Sequence, residues 1–265
     1  MVAESEIIHV AVAPPPLLDE ELVRKVADVI GKNSYETRLR LTGKIPKIIA
    51  NYDTRQQTEL AAQNLRRLGL VVILFTDSEL RQPWPIQKMR SLKLDEGAVT
   101  FYDRLGQAKR LEANQVFLIL HARLAAYVEK ESVKIVRKIN LTATILTGGI
   151  PVTKKVKQKT ISRESQIESF VRIYSREPGE PVLEIRQQNF DYSFLGPEMI
   201  SSAAGNFIVS VKKIREALPQ AIFDNRLTEP FGADSPAVME QDSIEAMCKM
   251  LYWYYEAAAN ASTLP

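Results

Sequence analysis

At 265 residues the chain exceeds one ordinary domain and is read as two. A hydrophobic content of 45% and a charged content of 25% fit a folded globular protein, and a net charge of +3 is too mild to argue for nucleic acid by itself. A single cysteine, Cys248, excludes an intrachain disulfide and fits a reducing compartment. The first residues lack a basic segment of the secretory kind, and no run of about 18 uncharged apolar residues is present, so the expectation is a cytoplasmic protein without a membrane-spanning helix.

Ile7 to Val12 is a short apolar run closed by Pro14-Pro15-Pro16 and predicts a strand buried on both faces. Asp19 then opens a helix whose apolar residues, Leu22, Val23, Val26, Val29 and Ile30, recur at three- and four-residue spacing until Gly31. Tyr35 to Leu41 predicts a further short helix, and Lys47 to Tyr52, after the break at Gly43 to Pro46, a short helix or turn. Asp53 or Thr54 is a suitable cap for the next helix, which carries Leu60, Ala61, Leu65 and Leu68 and stops at Gly69. Leu70 to Phe75 is a second buried strand, and this order of elements predicts a small α/β sandwich over residues 1–80.

Within it, Tyr35-Glu36-Thr37-Arg38-Leu39, Ile45-Pro46-Lys47-Ile48-Ile49, the helix with Ala61-Ala62 and Leu65, and Leu68-Gly69-Leu70-Val71-Val72 resemble the C-terminal domain of the bacterial ribosomal stalk protein. The resemblance covers about residues 34–76 and implies two short helices, a long helix and a closing strand. It lacks the lysine-rich face of that family and therefore implies a fold and no function.

Residues 81–96, around Pro83-Trp84-Pro85, are expected to form a linker, because the two prolines hold the backbone extended. Beyond it, Ala98 to Tyr102 and Lys109 to Ala113 flank a turn and predict a hairpin, and Val116 to Leu120 predicts a buried strand. Val133 to Thr147 is rich in β-branched residues and turns at Gly148-Gly149. Phe170 to Tyr174 and Val182 to Arg186 are two more strands, joined by a turn at Glu177 to Glu180. Met199, Ala203, Phe207, Ile208, Val211, Ile214 and Leu218 mark one face of a helix after Pro197. A last helix after Ser235-Pro236 carries Ile244, Met247, Cys248, Leu251 and Tyr255. Short strands in series followed by an amphipathic helix resemble the pleckstrin-homology-like module, a bent barrel with a helical cap. The expected fold class is thus α+β: a small α/β sandwich, then a bent β-sheet or barrel over residues 97–265 capped by C-terminal helices.

No catalytic spacing is present. The two histidines, His9 and His121, are far apart, and neither a zinc spacing nor a nucleophile elbow nor a phosphate-cradling glycine loop occurs, so no enzyme activity, metal or cofactor is expected. His9 reads as a structural residue, and Cys248, on an apolar stripe, as a small core residue. Asp191 and Asp224 sit in polar clusters that read as turn or helix caps; as an alternative they form a carboxylate site, which requires the two side chains to converge. Arg226 is expected to pair with one of them.

The functional hint is charge. Residues 130–163 hold nine Lys or Arg and one acid, Glu131, a local net charge of +8. On a strand Lys155, Lys157 and Lys159 share one face and Lys154 takes the other, so Lys154, Lys155, Lys157 and Lys159, with Arg137 and Lys138, are the candidate anion-binding residues. They suit phosphates of lipid or nucleic acid; the plainer alternative is a solvated hairpin whose lysines block edge-to-edge pairing. No aromatic residue lies between Tyr127 and Phe170, which removes base stacking from this segment. Tyr252-Trp253-Tyr254-Tyr255 covers all sides of a helix. Trp253 and Tyr254 are the candidates for contact with a protein partner or a second copy, the alternative being burial by the N-terminal domain. The combined expectation is a non-enzymatic adaptor, with a nucleic-acid-binding protein and an enzyme with a carboxylate site as alternatives.

Overall fold

The computed structural model describes residues 6–139, 153–229 and 241–262, of which 125–139, 153–166, 241–242 and 262 are described as backbone. Two compact units divide it: residues up to Leu124 together with those from Glu168 onward, and Ala125–Ile167.

The first unit begins with β1 (Ile8–Val12), α1 (Glu20–Ile30), α2 (Ser34–Leu41), β2 (Lys47–Tyr52), α3 (Arg55–Arg67), β3 (Val72–Thr76) and α4 (Asp77–Arg81). The helix starts follow local chemistry: Asp19, Asn33 and Thr54 each accept a hydrogen bond from a backbone N–H of the first turn. Gly31 ends α1 at φ +66°, a left-handed position that a side chain resists. The strands form an antiparallel sheet in the order β2-β1-β3. Val10 and Val12 of β1 belong to one cluster with Val23, Val26, Leu41, Ile49, Ala62 and Leu65, whereas Ala11 turns the other way, to Ile73 and Phe75. The central strand is therefore covered on both faces, as its unbroken apolar run requires.

Lys47 to Tyr52, expected as a short helix or turn, is the edge strand β2, paired with β1 from Tyr52↔Ile8 to Lys47↔Val12. Its β-branched Ile48 and Ile49 suit the pleat, and tertiary pairing outweighs the short-range breaks around it. The expected linker is a strand for most of its length: only Gln82 to Pro85 separates α4 from β4 (Ile86–Asp95).

Next come β5 (Ala98–Asp103), β6 (Ala108–Glu112), β7 (Val116–Ile139), β8 (Thr153–Ser175), β9 (Val182–Arg186), α5 (Ala203–Ala217), β10 (Ile222–Leu227) and α6 (Gln241–Ser262). The strands form one mixed sheet in the order β10-β7-β8-β9-β4-β5-β6. The fold class is α+β, and among the described residues β10 and β6 are the edges of the second sheet. Phe207, Val211 and Ile214 of α5, with Leu218 at its C-terminal cap, pack on Met89, Phe101, Val116, Ile119, Val171 and Ile185. The helix expected from Met199 starts at Ala203, capped by Ser202, and Met199 and Ile200 lie exposed before it. The strand β10 was not anticipated; its Asp224, Asn225 and Arg226 hide the alternation. Gly148-Gly149 and Ser235-Pro236 lie outside the described residues. Among the described residues no helix is long and apolar enough to cross a membrane.

β7 sets His121 beside Phe207, with ring centroids 5.6 Å apart, and its Nε2 is buried without a hydrogen-bond partner among the described residues. Burial, aided by the charge of Arg123, pushes its pKa from 6.5 down to about 4. Because the folded value lies below the unfolded one, the unfolded chain binds the extra proton between them. Stability is full above pH 6.5 and falls as pH drops toward 4. Urea unfolding across this range should show the native chain losing on the order of 3 kcal/mol more than His121→Leu. Parallel pH profiles for the two proteins would place the acid sensitivity elsewhere.

Candidate functional site

The second unit is where the cations gather. β7 carries Arg137 and Lys138, and β8 carries Lys154, Lys155, Lys157 and Lys159. Residues 125–167 contain nine Lys or Arg and three acids, leaving 26 and 29 for the rest of the chain. The two units thus carry net charges of +6 and −3. Lys154, Lys155, Lys157 and Lys159 fall within six residues of a single strand, at a rise of roughly 3.3 Å per residue.

The aromatic run of α6 sits within the first unit, and all four rings are half-buried. Trp253 stacks on Phe75 of β3 at 5.0 Å, and Tyr254 packs on the same cluster with Ala11 and Ile73. Tyr252 meets Phe117 of β7, Tyr174 of β8 and Trp84 at 5.8, 5.1 and 4.9 Å. Tyr255 donates to Asp224 Oδ2 at 3.1 Å and accepts from Arg226 Nη2 at 3.0 Å. A helix packed on one surface leaves part of such a run exposed, whereas α6 packs against elements of both sheets and every ring finds a partner in its own chain. Trp253 and Tyr254, the candidates for a partner contact, pack on β1 and β3 and remain half-buried.

Charge fixes the same helix. Arg172 of β8 is 2% exposed. Its Nε and Nη2 donate to Glu184 Oε2 of β9 at 3.0 and 2.9 Å, and its Nη1 donates to Glu245 Oε2 of α6 at 2.7 Å. Arg186 Nε reaches Glu184 Oε1 at 2.7 Å, and Arg186 also pairs with Glu168 at 3.7 Å. Burial works against the Arg172 charge, but the Glu245 hydrogen bond and the surrounding negative charge overcome it and raise the pKa. For Glu184 burial favours the neutral acid, while Arg172 and Arg186 prevail and hold it below its ordinary value. Cys248 is fully buried beside this group; burial pushes its thiol up to about 12, which removes the thiolate that a nucleophile needs. Lys249 Nζ donates to the carbonyls of Glu79, Leu80 and Gln82, so its three protons are used in closing the C-terminal end of α4.

Sequence reasoning missed this network, although a signal exists: Arg172 and Glu184 each interrupt an apolar strand, and the antiparallel register places them opposite one another.

The remaining chemical candidates are each engaged by neighbours of their own. Asp191 accepts from the Ser193 backbone N–H at 2.9 Å and from its hydroxyl at 3.0 Å, a local turn at the surface. Asp224 is buried and takes Arg226 Nε at 2.9 Å and Nη2 at 2.7 Å. The two carboxylates share no partner, and each is occupied by its own neighbours. Arg226 pairs with Asp224 and donates to the Lys44 carbonyl at 2.8 Å, joining β10 to the segment before β2. His9 lies between Asn51 Oδ1 and Asp77 Oδ1, each 2.8 Å from a ring nitrogen, and tilts over Phe75. Among the described residues no cluster of His, Cys, Asp and Glu could hold a metal. A cleft of about 680 Å³ opens beside Trp84, but its inner polar groups, Glu245 and Lys249, are already paired.

No protein-family model, curated protein or solved structure matches the chain.

Replacing Arg172 by Met leaves the buried Glu184 with Arg186 alone and removes the cation facing Glu245, and chemical denaturation should show a loss of about 3 kcal/mol. A loss under about 1 kcal/mol would mean that the pair contributes little. Tyr174, 2% exposed, has a hydroxyl that lies near Arg172 but has no well-formed hydrogen-bond partner among the described residues. Tyr174→Phe should therefore hold stability level or raise it by about 1 kcal/mol, and a clear loss would show that the hydroxyl is satisfied in solution.

Proposed function

We propose that this protein is a non-enzymatic adaptor that offers a cationic β-ribbon to a surface of phosphates. One observation carries the reading: the chain's positive charge is concentrated in a separate two-stranded unit, nine cations to three acids over residues 125–167, while the rest of the molecule is net negative. Such a segregated field attracts polyanions at short range and is screened by salt, and it leaves the body of the protein without the same attraction. The lack of aromatic residues between Tyr127 and Phe170 favours backbone phosphates or lipid headgroups over stacked single-stranded bases. The adaptor role is supported by the rest of the molecule, in which Cys248 is buried, Asp224 is paired with Arg226, and Trp253 and Tyr254 pack on β1 and β3.

The test compares the native chain with the quadruple variant Lys154→Ala, Lys155→Ala, Lys157→Ala and Lys159→Ala. Both are measured for binding to phosphatidylserine-containing vesicles, to neutral vesicles and to duplex DNA across a salt series. Near an anionic membrane each lysine contributes about 1 kcal/mol, so the variant should bind roughly a hundredfold to a thousandfold more weakly. A duplex preferred over vesicles, with a steep salt slope, would assign the ribbon to nucleic acid. Equal binding by both proteins, or binding by neither at low salt, would overturn the proposal.

A further inference from the structure

Trp84, whose ring has the Lys249 ammonium 5.9 Å from its centroid, also borders a second pocket. It measures about 260 Å³ and is bounded by Trp84, Tyr174 and Tyr252 and by the turn that links β8 to β9, without Glu245 or Lys249 in its lining. The three rings form one wall: Trp84 meets Tyr252 at 4.9 Å and 86°, and Tyr174 at 5.5 Å and 76°. Edge-to-face packing of this kind fixes the orientation of the rings that line the pocket. Tyr174 is the inner ring at 2% exposure, and Trp84 and Tyr252 are half-buried.

The turn supplies the charge. Gly179, at φ +83°, allows the chain to reverse so that Glu177 and Glu180 both line the pocket, with Pro178 stiffening the rim. No Lys or Arg lines it. Glu180 is held by Lys109 from β6. Among the described residues the Glu177 carboxylate pairs with no cation, and the Glu177 backbone N–H is tied to Ser175 Oγ at 3.1 Å, which fixes the start of the turn. A concave surface that combines aromatic faces, an unspent carboxylate and no basic residue is complementary to positive charge on an apolar body.

We propose that this pocket binds a small organic cation, a quaternary ammonium or guanidinium group. The cation lies against Trp84 and Tyr252 with Glu177 as its counter-ion. The pocket belongs to the unit of net negative charge and is independent of the cationic ribbon, so failure of one leaves the other standing.

The test is a titration of the full chain with choline, with arginine ethyl ester and with 3,3-dimethylbutanol, the uncharged counterpart of choline. The indole N–H signals of Trp84 and Trp253 are followed by NMR and told apart with Trp253→Phe. The expected result is a saturable shift at Trp84 with a Kd of about 1–10 mM for at least one of the cations. The uncharged alcohol and the exposed-site variant Glu177→Gln should each weaken binding by about threefold or more. Tighter binding of choline assigns the pocket to quaternary ammonium, and tighter binding of the arginine ester to guanidinium. No saturable shift with either cation, equal binding of the uncharged alcohol, or unchanged affinity in Glu177→Gln would overturn the proposal.

Discussion

The structure depends on α6 being held on more than one side at once. A helix against a single sheet needs one apolar stripe, and Ile244, Cys248 and Leu251 supply it. Here the same helix also gives Trp253 and Tyr254 to the sheet of β1 to β3, Tyr252 to β7 and β8, and Tyr255 to β10. Without it the N-terminal sheet would expose Ala11, Ile73 and Phe75, and β8 would keep a buried arginine with one carboxylate fewer. Packing and charge therefore act on one element, and neither can be altered there alone.

The buried ions sharpen this dependence. Arg172 lies between Glu184 from β9 and Glu245 from α6, so a single guanidinium ties the second sheet to the C-terminal helix. Withdrawing such a charge from water costs more than an exposed pair returns, and the arrangement holds only when each donor and oxygen is matched. What it contributes is geometric: an arginine fork facing two carboxylates has few acceptable positions, so it fixes α6 along its length more sharply than apolar contact does. Arg226, reaching Asp224, Tyr255 and the Lys44 carbonyl, plays a like part for β10.

Much of the local structure was legible in the sequence. Asp19 and Gly31 bracket α1, the alternation from Ala98 to Ala113 marks the β5–β6 hairpin, and the apolar run of β1 announces cover on both faces. Elements that long-range pairing decides were less readable. β2 is a strand because β1 lies beside it, and β4 because β9 and β5 do, although the prolines before it suggest a break. The destination of the aromatic run was the largest gap: four consecutive rings look excessive for one helix face until a second sheet is known to lie across from the first. The concentration of lysines needed only counting, whereas the pocket beside Trp84 combines residues from positions 84, 174, 177 and 252 and leaves no local trace.

That geometry bears on how the chain is made. During synthesis the strands of the N-terminal sheet leave the ribosome more than 150 residues before Trp253, the residue that stacks on Phe75. Until the last helix emerges, one side of that sheet is an apolar surface open to solvent and to chaperones. The nascent chain thus stays incomplete until α6 has been made, and products truncated before Gln241 would carry an N-terminal sheet that, though correctly encoded, has no cover.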